Sequence, residues 1–248
     1  MNLVRAIIFD VYKTILDVRE PPVDADKRWR NLLVQTFGST LDVSLEGLAN
    51  RCASIVREDH SEARGRGVDY PEVNWPTVMK RAMPILDSLP EAKLANFIFQ
   101  HAQLSRTLKL MPSCGSILRQ CVQRGILLGI ASNAQAYTLR ELQLALKEAR
   151  LDLEIFQADL TFWSFQYGFG KPDPYVFQIL RARLLNRGIE ASETLMVGDR
   201  EDNDVSPAQA VGWRTWQFAQ SAENANRRDW KSLACFLFGQ MRRPDELV

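Results

Sequence analysis

The chain has 248 residues, of which 46% are hydrophobic and 25% charged, and its formal net charge is +1. This length allows a sizeable core, and the near-neutral charge without low-complexity segments gives no reason to expect nucleic acid as a partner. The apolar runs are far shorter than a membrane span and the N-terminus lacks the order of a signal peptide, so we expect a soluble, cytoplasmic protein without membrane contact.

The first predicted element is a strand over residues 4–9, directly followed by Asp10. A short continuous run of apolar residues, rich in β-branched and aromatic types, favours a buried strand. Such a strand places the carboxylate of Asp10 at its C-terminal end.

Residues 16–108 differ from the rest of the chain, because their apolar residues recur only at helical spacing, as at Trp29 and Leu33. We predict an α-helical cap domain over this range, inserted into a core domain formed by residues 1–15 and 109–248. Ligands of open α/β sheets bind beyond the carboxyl ends of the strands, so an insert placed after the first strand is able to cover that site.

The remainder of the chain alternates between strands and helices. The predicted strands are 127–131, 194–197 and 214–218, and the predicted helices are 116–124, 137–149, 175–185 and 207–210. This alternation predicts an α/β fold with a Rossmann-like, doubly wound parallel sheet.

Polar residues that are able to take part in catalysis follow the predicted strand ends. They are Asp10 with Thr14, the pair Ser132 and Asn133, Lys171 in a Gly-Lys-Pro-Asp-Pro segment, and Gly198-Asp199 followed by Asp204. Each has an ordinary alternative by itself: a turn or helix cap, an exposed lysine, or a solvated acidic loop. Their joint occurrence in this order, each where the fold needs it, favours a catalytic site.

These four motifs resemble those of the haloacid dehalogenase-like superfamily: an Asp-x-x-x-Thr loop, a Ser or Thr, a Lys, and a Gly-Asp with a later acid. The resemblance covers the predicted core and implies a hydrolase in which Asp10 is a covalent nucleophile, supported by Thr14, Ser132 and Lys171. It also implies a Mg²⁺ site formed by Asp10, Asp199 and the Tyr12 carbonyl, with Asp204 or Asn203 holding a metal-bound water.

Two positions depart from the phosphatases of this superfamily. Tyr12 replaces the Asp that serves there as the acid and base, and Lys13 replaces the usual Gly. A phenol is a poor water-activating base at neutral pH, because its unperturbed pKa is ~10. Tyrosine at position 12 resembles the haloacid dehalogenases, whereas Gly198-Asp199 resembles the phosphatases. We expect Lys13 and Asn133 to contact substrate.

Three functions are therefore open. The first is Mg²⁺-dependent hydrolysis of a small phosphorylated metabolite with a good leaving group, such as an acyl or aryl phosphate. The second is hydrolysis of a carbon–halogen bond in a small 2-substituted acid, and the third is a binding or regulatory role without turnover. The sequence predicts a small-molecule substrate and gives no oligomeric state.

The remaining candidates have plainer interpretations. We expect His60 and His101 to be surface or packing residues and Asp202 to be exposed. Arg64 and Arg66 are expected in a solvated loop, and Trp75 is expected to pack, although it could line a pocket. The four cysteines lack a C-x-x-C pairing, so buried free thiols are expected.

Overall fold

The computed structural model describes residues 4–218 and 229–239. Its strands are β1 Ala6–Phe9, β2 Leu16–Arg19, β3 Thr107–Leu110, β4 Leu127–Ser132, β5 Phe156–Trp163, β6 Thr194–Gly198 and β7 Arg214–Gln217. Its α-helices are α1 Ala25–Phe37, α2 Leu45–Gly65, α3 Trp75–Ala82, α4 Glu91–Ala102, α5 Cys114–Gln123, α6 Ala136–Glu148, α7 Ser164–Tyr167, α8 Pro174–Asn186, α9 Ser206–Ala210 and α10 Trp230–Phe238.

The core of the molecule is a five-stranded sheet in the order β5-β4-β1-β6-β7, with every neighbouring pair parallel. Helices lie on both faces, so the predicted doubly wound α/β fold is confirmed. The predicted core helices agree with α5, α6, α8 and α9 to within two residues at each end. Strand β5 was not predicted, because the polar residues Gln157 and Asp159 interrupt its apolar pattern where the strand is exposed.

Strand β1 is the centre of the sheet, and its residues alternate between the two faces as the period of a strand requires. Ile7 and Phe9 belong to one apolar cluster, whereas Ala6 and Ile8 belong to the cluster on the other face. All four residues are fully buried, which explains why the sequence of this strand is continuously apolar.

The helical insert, which we define as residues 20–106, contains α1 to α4 and has an apolar cluster of its own around Trp29, Leu48 and Phe97. It is joined to the core by β2 and β3, which pair antiparallel. The prediction of helical structure only over 16–108 is therefore wrong at both ends. Strands of four residues are too short to produce a clear alternation against the helical pattern that surrounds them.

The cysteines within the described residues are free, as predicted, but one of them is not buried. Cys52, Cys114 and Cys121 are buried, whereas Cys235 is exposed on α10. None of the helices within residues 4–218 and 229–239 is long and apolar enough to cross a membrane.

Candidate active site

The candidate site lies at the C-terminal edge of the sheet, where the three central strands end. Asp10 follows β1, Ser132 is the last residue of β4, and Asp199 follows β6. Because β1 pairs with both β4 and β6, residues that are more than 100 positions apart in sequence become neighbours. The backbone N–H of Asp10 donates to the Val197 carbonyl at 2.9 Å, which fixes the start of the loop that carries the carboxylate.

Lys171 connects two of the carboxylates. Its Nζ donates to Asp10 Oδ1 at 2.8 Å and also to Asp204 Oδ1. Burial by itself lowers the pKa of the Lys171 ammonium, but the charges of Asp10 and Asp204 outweigh burial and hold this pKa above its ordinary value. The lysine is therefore a fixed positive charge in a buried position, which is the form needed to stabilise an anion.

Burial is the main cause that raises the pKa of Asp10 to about 6, and Lys171 opposes it. Asp204 and Asp199 raise the same pKa further, because their negative charges are close by. The pKa of Asp199 is also raised, first by burial and then by Asp204, while the positive charges of Lys13 and Lys171 lower it. Two carboxyl groups with raised pKa values at the same edge of the sheet are typical of a functional site.

The oxygen atoms of Asp10, Asp199 and Asp204 come within 4.8 Å of one another, and all three residues are buried. Three cations line the same cavity: Lys13, Lys171 and Arg200, of which Arg200 is paired with the exposed Asp202. Three carboxylates whose oxygens lie this close together fit a hard divalent cation such as Mg²⁺. Asp10 and Asp199 are better placed to be ligands than Asp204, because both oxygens of Asp204 already accept hydrogen bonds, from Lys171 and from the Arg200 backbone N–H.

Gly198 explains why a glycine precedes Asp199. A Cβ atom at this position would lie 2.3 Å from Asp204 Oδ2, far inside van der Waals contact. Any side chain would displace the carboxylate that holds Lys171. The Gly-Asp motif and the later acid are thus one packed unit.

The side-chain amide of Asn133 forms two hydrogen bonds to the backbone of Lys171. Its Nδ2 donates to the Lys171 carbonyl and its Oδ1 accepts from the Lys171 N–H, both at 2.7 Å. A Cβ at Gly170 would lie 2.4 Å from Asn133 Oδ1, so the glycine is required for this contact. Asn133 lines the cavity and its amide positions the lysine, while its contact with substrate stays a prediction.

Thr14 and Ser132 are completely buried, and neither side-chain hydroxyl has a hydrogen-bond partner among the described residues. An unsatisfied buried hydroxyl is costly, so such groups normally have a water or ligand partner. Neither residue belongs to the described lining of the cavity around Asp10, which is formed by Asp10, Tyr12, Lys13, Asn133, Lys171, Asp199, Arg200, Asn203 and Asp204. This cavity has a volume of about 220 Å³.

Tyr12 lines the same cavity, but its hydroxyl belongs to a buried network on the side of α6. The hydroxyl donates to Glu141 Oε2 at 2.5 Å, accepts from Arg106 Nη2 at 2.9 Å and lies 2.7 Å from Thr138 Oγ1. Burial is the main cause that raises its pKa well above the ordinary value; Arg106 lowers that pKa and the negative charge of Glu141 raises it. The proton of this phenol is therefore held in the hydrogen bond to Glu141.

Lys13 has a φ of 59°, in the left-handed region that favours glycine, and its side chain is exposed at the mouth of the cavity. Glycine adopts this backbone conformation without steric strain, whereas a residue with a Cβ atom, such as lysine, is strained in it. Its positive charge is close enough to lower the pKa of Asp199.

A second cavity of about 290 Å³ adjoins the first, and both are lined by Tyr12 and Asn133. His60 and Trp75 of the helical insert line this second cavity. Trp75 also packs against the apolar cluster of the insert, so packing and lining a pocket, the two interpretations of this residue, both hold. The insert folds back over the strand ends, and spacing within the insert does not reveal which residues then face the core.

The insert is hydrogen-bonded to the loop of residues 168–173 that carries Lys171, which we call the lysine loop, next to these cavities. Gly170 N–H donates to the Tyr70 carbonyl at 3.0 Å, and Glu72 N–H donates to the Gly168 carbonyl at 2.9 Å. The Glu72 carboxylate accepts from Ser164 Oγ at 2.6 Å and from Gln135 Nε2 at 2.7 Å.

The other candidates lie away from the site. His101 is buried in the insert against the Trp29 ring, with 5.6 Å between ring centroids, as expected of a packing residue. Asp202 is exposed and paired with Arg200, as predicted. Arg64 and Arg66 are exposed; Arg64 lies in the last turn of α2 rather than in a loop, whereas Arg66 lies in the turn that follows the helix.

Arg106, Glu141, Gln103 and Thr138 were not singled out in the sequence. They come from the end of the insert and from α6, and no motif or spacing connects them. Their proximity depends on how the insert and α6 pack around Tyr12.

The chain belongs to the haloacid dehalogenase-like hydrolases, since the model of that family matches residues 4–212. It is 26% identical to the glyceraldehyde 3-phosphate phosphatase of Methanopyrus kandleri over 215 residues, which cover 86% of this chain and 83% of that protein. The family expected from the four motifs is thus confirmed, and the protein is a hydrolase.

Solved structures support the fold. A HAD phosphatase from Thermococcus onnurineus is similar with a TM-score of 0.53 and 23% identity, covering 95% of this chain and 98% of that one. The L-2-haloacid dehalogenase RSc1362 is similar with a TM-score of 0.55 and 20% identity, covering 95% and 99%. Because a phosphatase and a dehalogenase are equally similar, the fold does not distinguish the two reactions.

Proposed function

We propose that this protein is a Mg²⁺-dependent phosphatase in which Asp10 is the nucleophile, acting on small phosphorylated compounds with good leaving groups. The observation that carries the proposal is the cluster of Asp10, Asp199 and Asp204 with Lys171 bonded to Asp10. Such an arrangement suits phosphoryl transfer, which is catalysed mainly by positioning and by positive charge near the phosphoryl oxygens. The phosphatases among the curated relatives support phosphate-ester hydrolysis in general; the restriction to good leaving groups depends on Tyr12 alone.

In the first step a carboxylate oxygen of Asp10 attacks phosphorus, and the bond from phosphorus to the leaving oxygen breaks. The leaving group departs with the electron pair as an oxyanion. Water then attacks the aspartyl phosphate, which releases inorganic phosphate, restores the Asp10 carboxylate and yields one proton. Lys171 holds Asp10 in place and offers its charge to the transferred group, while a bound Mg²⁺ would neutralise further phosphoryl charge at Asp10 and Asp199.

The hydrogen bond from the Tyr12 hydroxyl to Glu141 determines which leaving groups are suitable. A group that leaves as an alkoxide needs a proton, and the proton of Tyr12 is bonded to Glu141. A phenolate, carboxylate or enolate leaves without one. Aryl and acyl phosphates are therefore the expected substrates, and sugar phosphates the poor ones.

We also propose that residues 16–108, which comprise the helical insert with β2 and the start of β3, form a cap domain that encloses the leaving group. Its support is the set of insert residues in the second cavity, together with the contacts of Tyr70 and Glu72 to the lysine loop.

The test is turnover of an aryl phosphate, an acyl phosphate and an alkyl phosphate, each with Mg²⁺ and with chelator. We expect the first two to be hydrolysed in a Mg²⁺-dependent manner and Asp10→Asn to be inactive, with Asp202→Asn, an exposed acid on the same loop, as the active control. Tyr12→Asp should raise the rate on alkyl relative to aryl phosphate at least ~10-fold, since a general acid typically contributes 10²–10⁴-fold. Equal turnover of alkyl and aryl phosphates by the wild type would contradict the role given to Tyr12.

Hydrolysis of a carbon–halogen bond is the second candidate, because Tyr12 resembles the dehalogenases at this position. It predicts halide release from short 2-haloacids that chelator does not affect. The three clustered carboxylates of Asp10, Asp199 and Asp204 disfavour it, since without a metal ion they repel an anionic acid.

A further inference from the structure

The three cations that line the cavity around Asp10 differ in whether a carboxylate already neutralises them. Lys171 is buried and bonded to two carboxylates of the cluster. Arg200 is exposed and donates two hydrogen bonds to the carboxylate of Asp202, at 3.0 and 2.5 Å. Lys13 forms no ion pair with any residue that the structure describes. Of the three, Lys13 is therefore the cation whose charge is available to a ligand.

The position of Lys13 indicates that its charge acts on the cavity. Its side chain is exposed at the mouth, and its ammonium is close enough to Asp199 to lower the pKa of that carboxyl. Its φ of 59° is unfavourable for a residue with a Cβ atom, and strained backbone of this kind is concentrated at functional sites. The place of the ammonium and the strained backbone together indicate a role in binding an anion.

The leaving group must be stable as an anion, because the proton of Tyr12 is held by Glu141. In a diphosphate the group that leaves is itself a phosphate, whose second pKa is about 6, so it needs no proton at neutral pH. This group is negatively charged before the bond breaks as well as afterwards. A carboxylate or phenolate leaving group acquires its charge only during the reaction. A free cation next to the leaving group thus favours a diphosphate already when the substrate binds.

The size of the cavity determines how close the two anionic groups of a ligand must be. Its volume is about 220 Å³, and Asp10 and Lys13 both line it. A ligand with phosphorus at Asp10 therefore presents to Lys13 the group that is bonded directly to the transferred phosphoryl. Apart from the ring of Tyr12, the described lining consists of charged and amide side chains, which suit an inorganic anion better than an apolar group.

We propose that the substrate is a diphosphate, either inorganic pyrophosphate or a monoester of it, and that Lys13 is a specificity-determining residue that binds the second phosphate group. This inference rests on the proposed function, because it requires Asp10 to attack the terminal phosphorus. The bond from that phosphorus to the bridging oxygen breaks, and the bridging oxygen departs with the electron pair as part of the second phosphate. Water then attacks the aspartyl phosphate. For a monoester, the diphosphate trianion and one water give a monoester dianion, hydrogen phosphate and one proton.

Kinetics of two variants test the role of Lys13. Lys13→Gln removes the charge and Lys13→Arg keeps it, and both retain a Cβ atom, so the backbone strain is the same in each. We expect the ratio of kcat/KM for pyrophosphate to kcat/KM for phenyl phosphate to fall about tenfold in Lys13→Gln, because a charge-assisted contact is lost, and to recover largely in Lys13→Arg. Lys147→Gln, exposed in the last turn of α6, is the control and should keep the wild-type ratio. An unchanged ratio in Lys13→Gln would overturn the inference.

Calorimetry tests binding without turnover. The probe is methylenediphosphonate, whose P–C–P bridge is not hydrolysed, at one fixed concentration of free Mg²⁺. Lys13→Gln should bind it about tenfold more weakly than the wild type, whereas the affinity for methylphosphonate, which has a single phosphonate group, should change much less. Because Lys13 is exposed, the difference should shrink as the salt concentration increases. Equal affinities of the wild type and Lys13→Gln for methylenediphosphonate would contradict the proposed contact.

The outcomes separate the two proposals. Turnover of phenyl phosphate without turnover of pyrophosphate would overturn the inference and leave the phosphatase proposal standing. Absence of turnover with every phosphate compound would refute the phosphatase proposal, and weaker binding of methylenediphosphonate by Lys13→Gln would then retain the cavity as a binding site for a diphosphate.

Discussion

Glu141 offers the sharpest test of the network that holds Tyr12. Its side chain is fully buried, and its two oxygens accept from Tyr12, Gln103 at 2.7 Å and Arg106 at 3.1 and 3.2 Å. Replacement by Gln keeps the volume but removes the charge. Whichever way the new amide is oriented, its NH₂ group faces an N–H of Arg106, so one donor is left opposite another.

The magnitude follows from burial. Loss of one partner of a buried ion pair costs about 3–5 kcal/mol. Arg106 retains 22% exposure of its side chain and regains some hydration, so the expected loss for Glu141→Gln is roughly 2–3 kcal/mol. With an unfolding entropy of about 2.1 cal/mol/K per residue, a chain of 248 residues loses roughly 4–6 °C in Tm.

The assay is thermal unfolding followed by circular dichroism, with urea unfolding as a second measure. Glu148→Gln, on the exposed side of the same helix, is the matched control and should change Tm by less than ~1 °C. Tyr12→Phe should lose stability less than additively when combined with Glu141→Gln, because the two residues share hydrogen bonds. Equal Tm values for Glu141→Gln and Glu148→Gln would refute the network as a stabilising element.

Other positions give independent predictions. Gly170→Ala should lower kcat at least ~10-fold, since its Cβ would displace the Asn133 amide that positions Lys171, whereas Gly65→Ala, with no atom within 4 Å of its Cβ, should leave activity unchanged. Lys171→Met should lose activity and should gain more in Tm from added Mg²⁺ than the wild type does, because it leaves the clustered carboxylates without their buried cation; an equal gain would count against the metal site. His101, whose pKa burial lowers to about 4, is neutral in the folded state, so the unfolded state binds more protons between pH ~6.5 and ~4 and stability falls as pH decreases through this window, by roughly 3 kcal/mol in all. Urea unfolding of His101→Phe should show a smaller loss over the same pH range, and an unchanged pH dependence would contradict the assignment to this histidine.

Much of the sheet was predictable, because strands buried on both faces are continuously apolar and stand out in the sequence. The runs that became β1, β4 and β6 are of this kind, and each is followed directly by a polar residue of the site. The edge strand β5 was missed for the opposite reason: half of its residues are not buried, and its pattern of apolar and polar residues is mixed.

The sequence by itself determined the family, the parallel sheet, and the cluster around Asp10. Those residues follow strand ends in a fixed order, and the carboxyl ends of parallel strands lie at one edge of the sheet. This inference requires no information about how the side chains pack. The departure from the phosphatase motif at Tyr12 is also visible in the sequence.

What Tyr12 does was decided by the tertiary structure alone. Its partners Arg106, Glu141 and Thr138 are separated from it by 94 to 129 positions, and they meet only because the insert returns to the core beside α6. The same folding back places His60 and Trp75 against the second cavity. Contacts of this range depend on how two packed units fit together, and local periodicity carries no information about that fit.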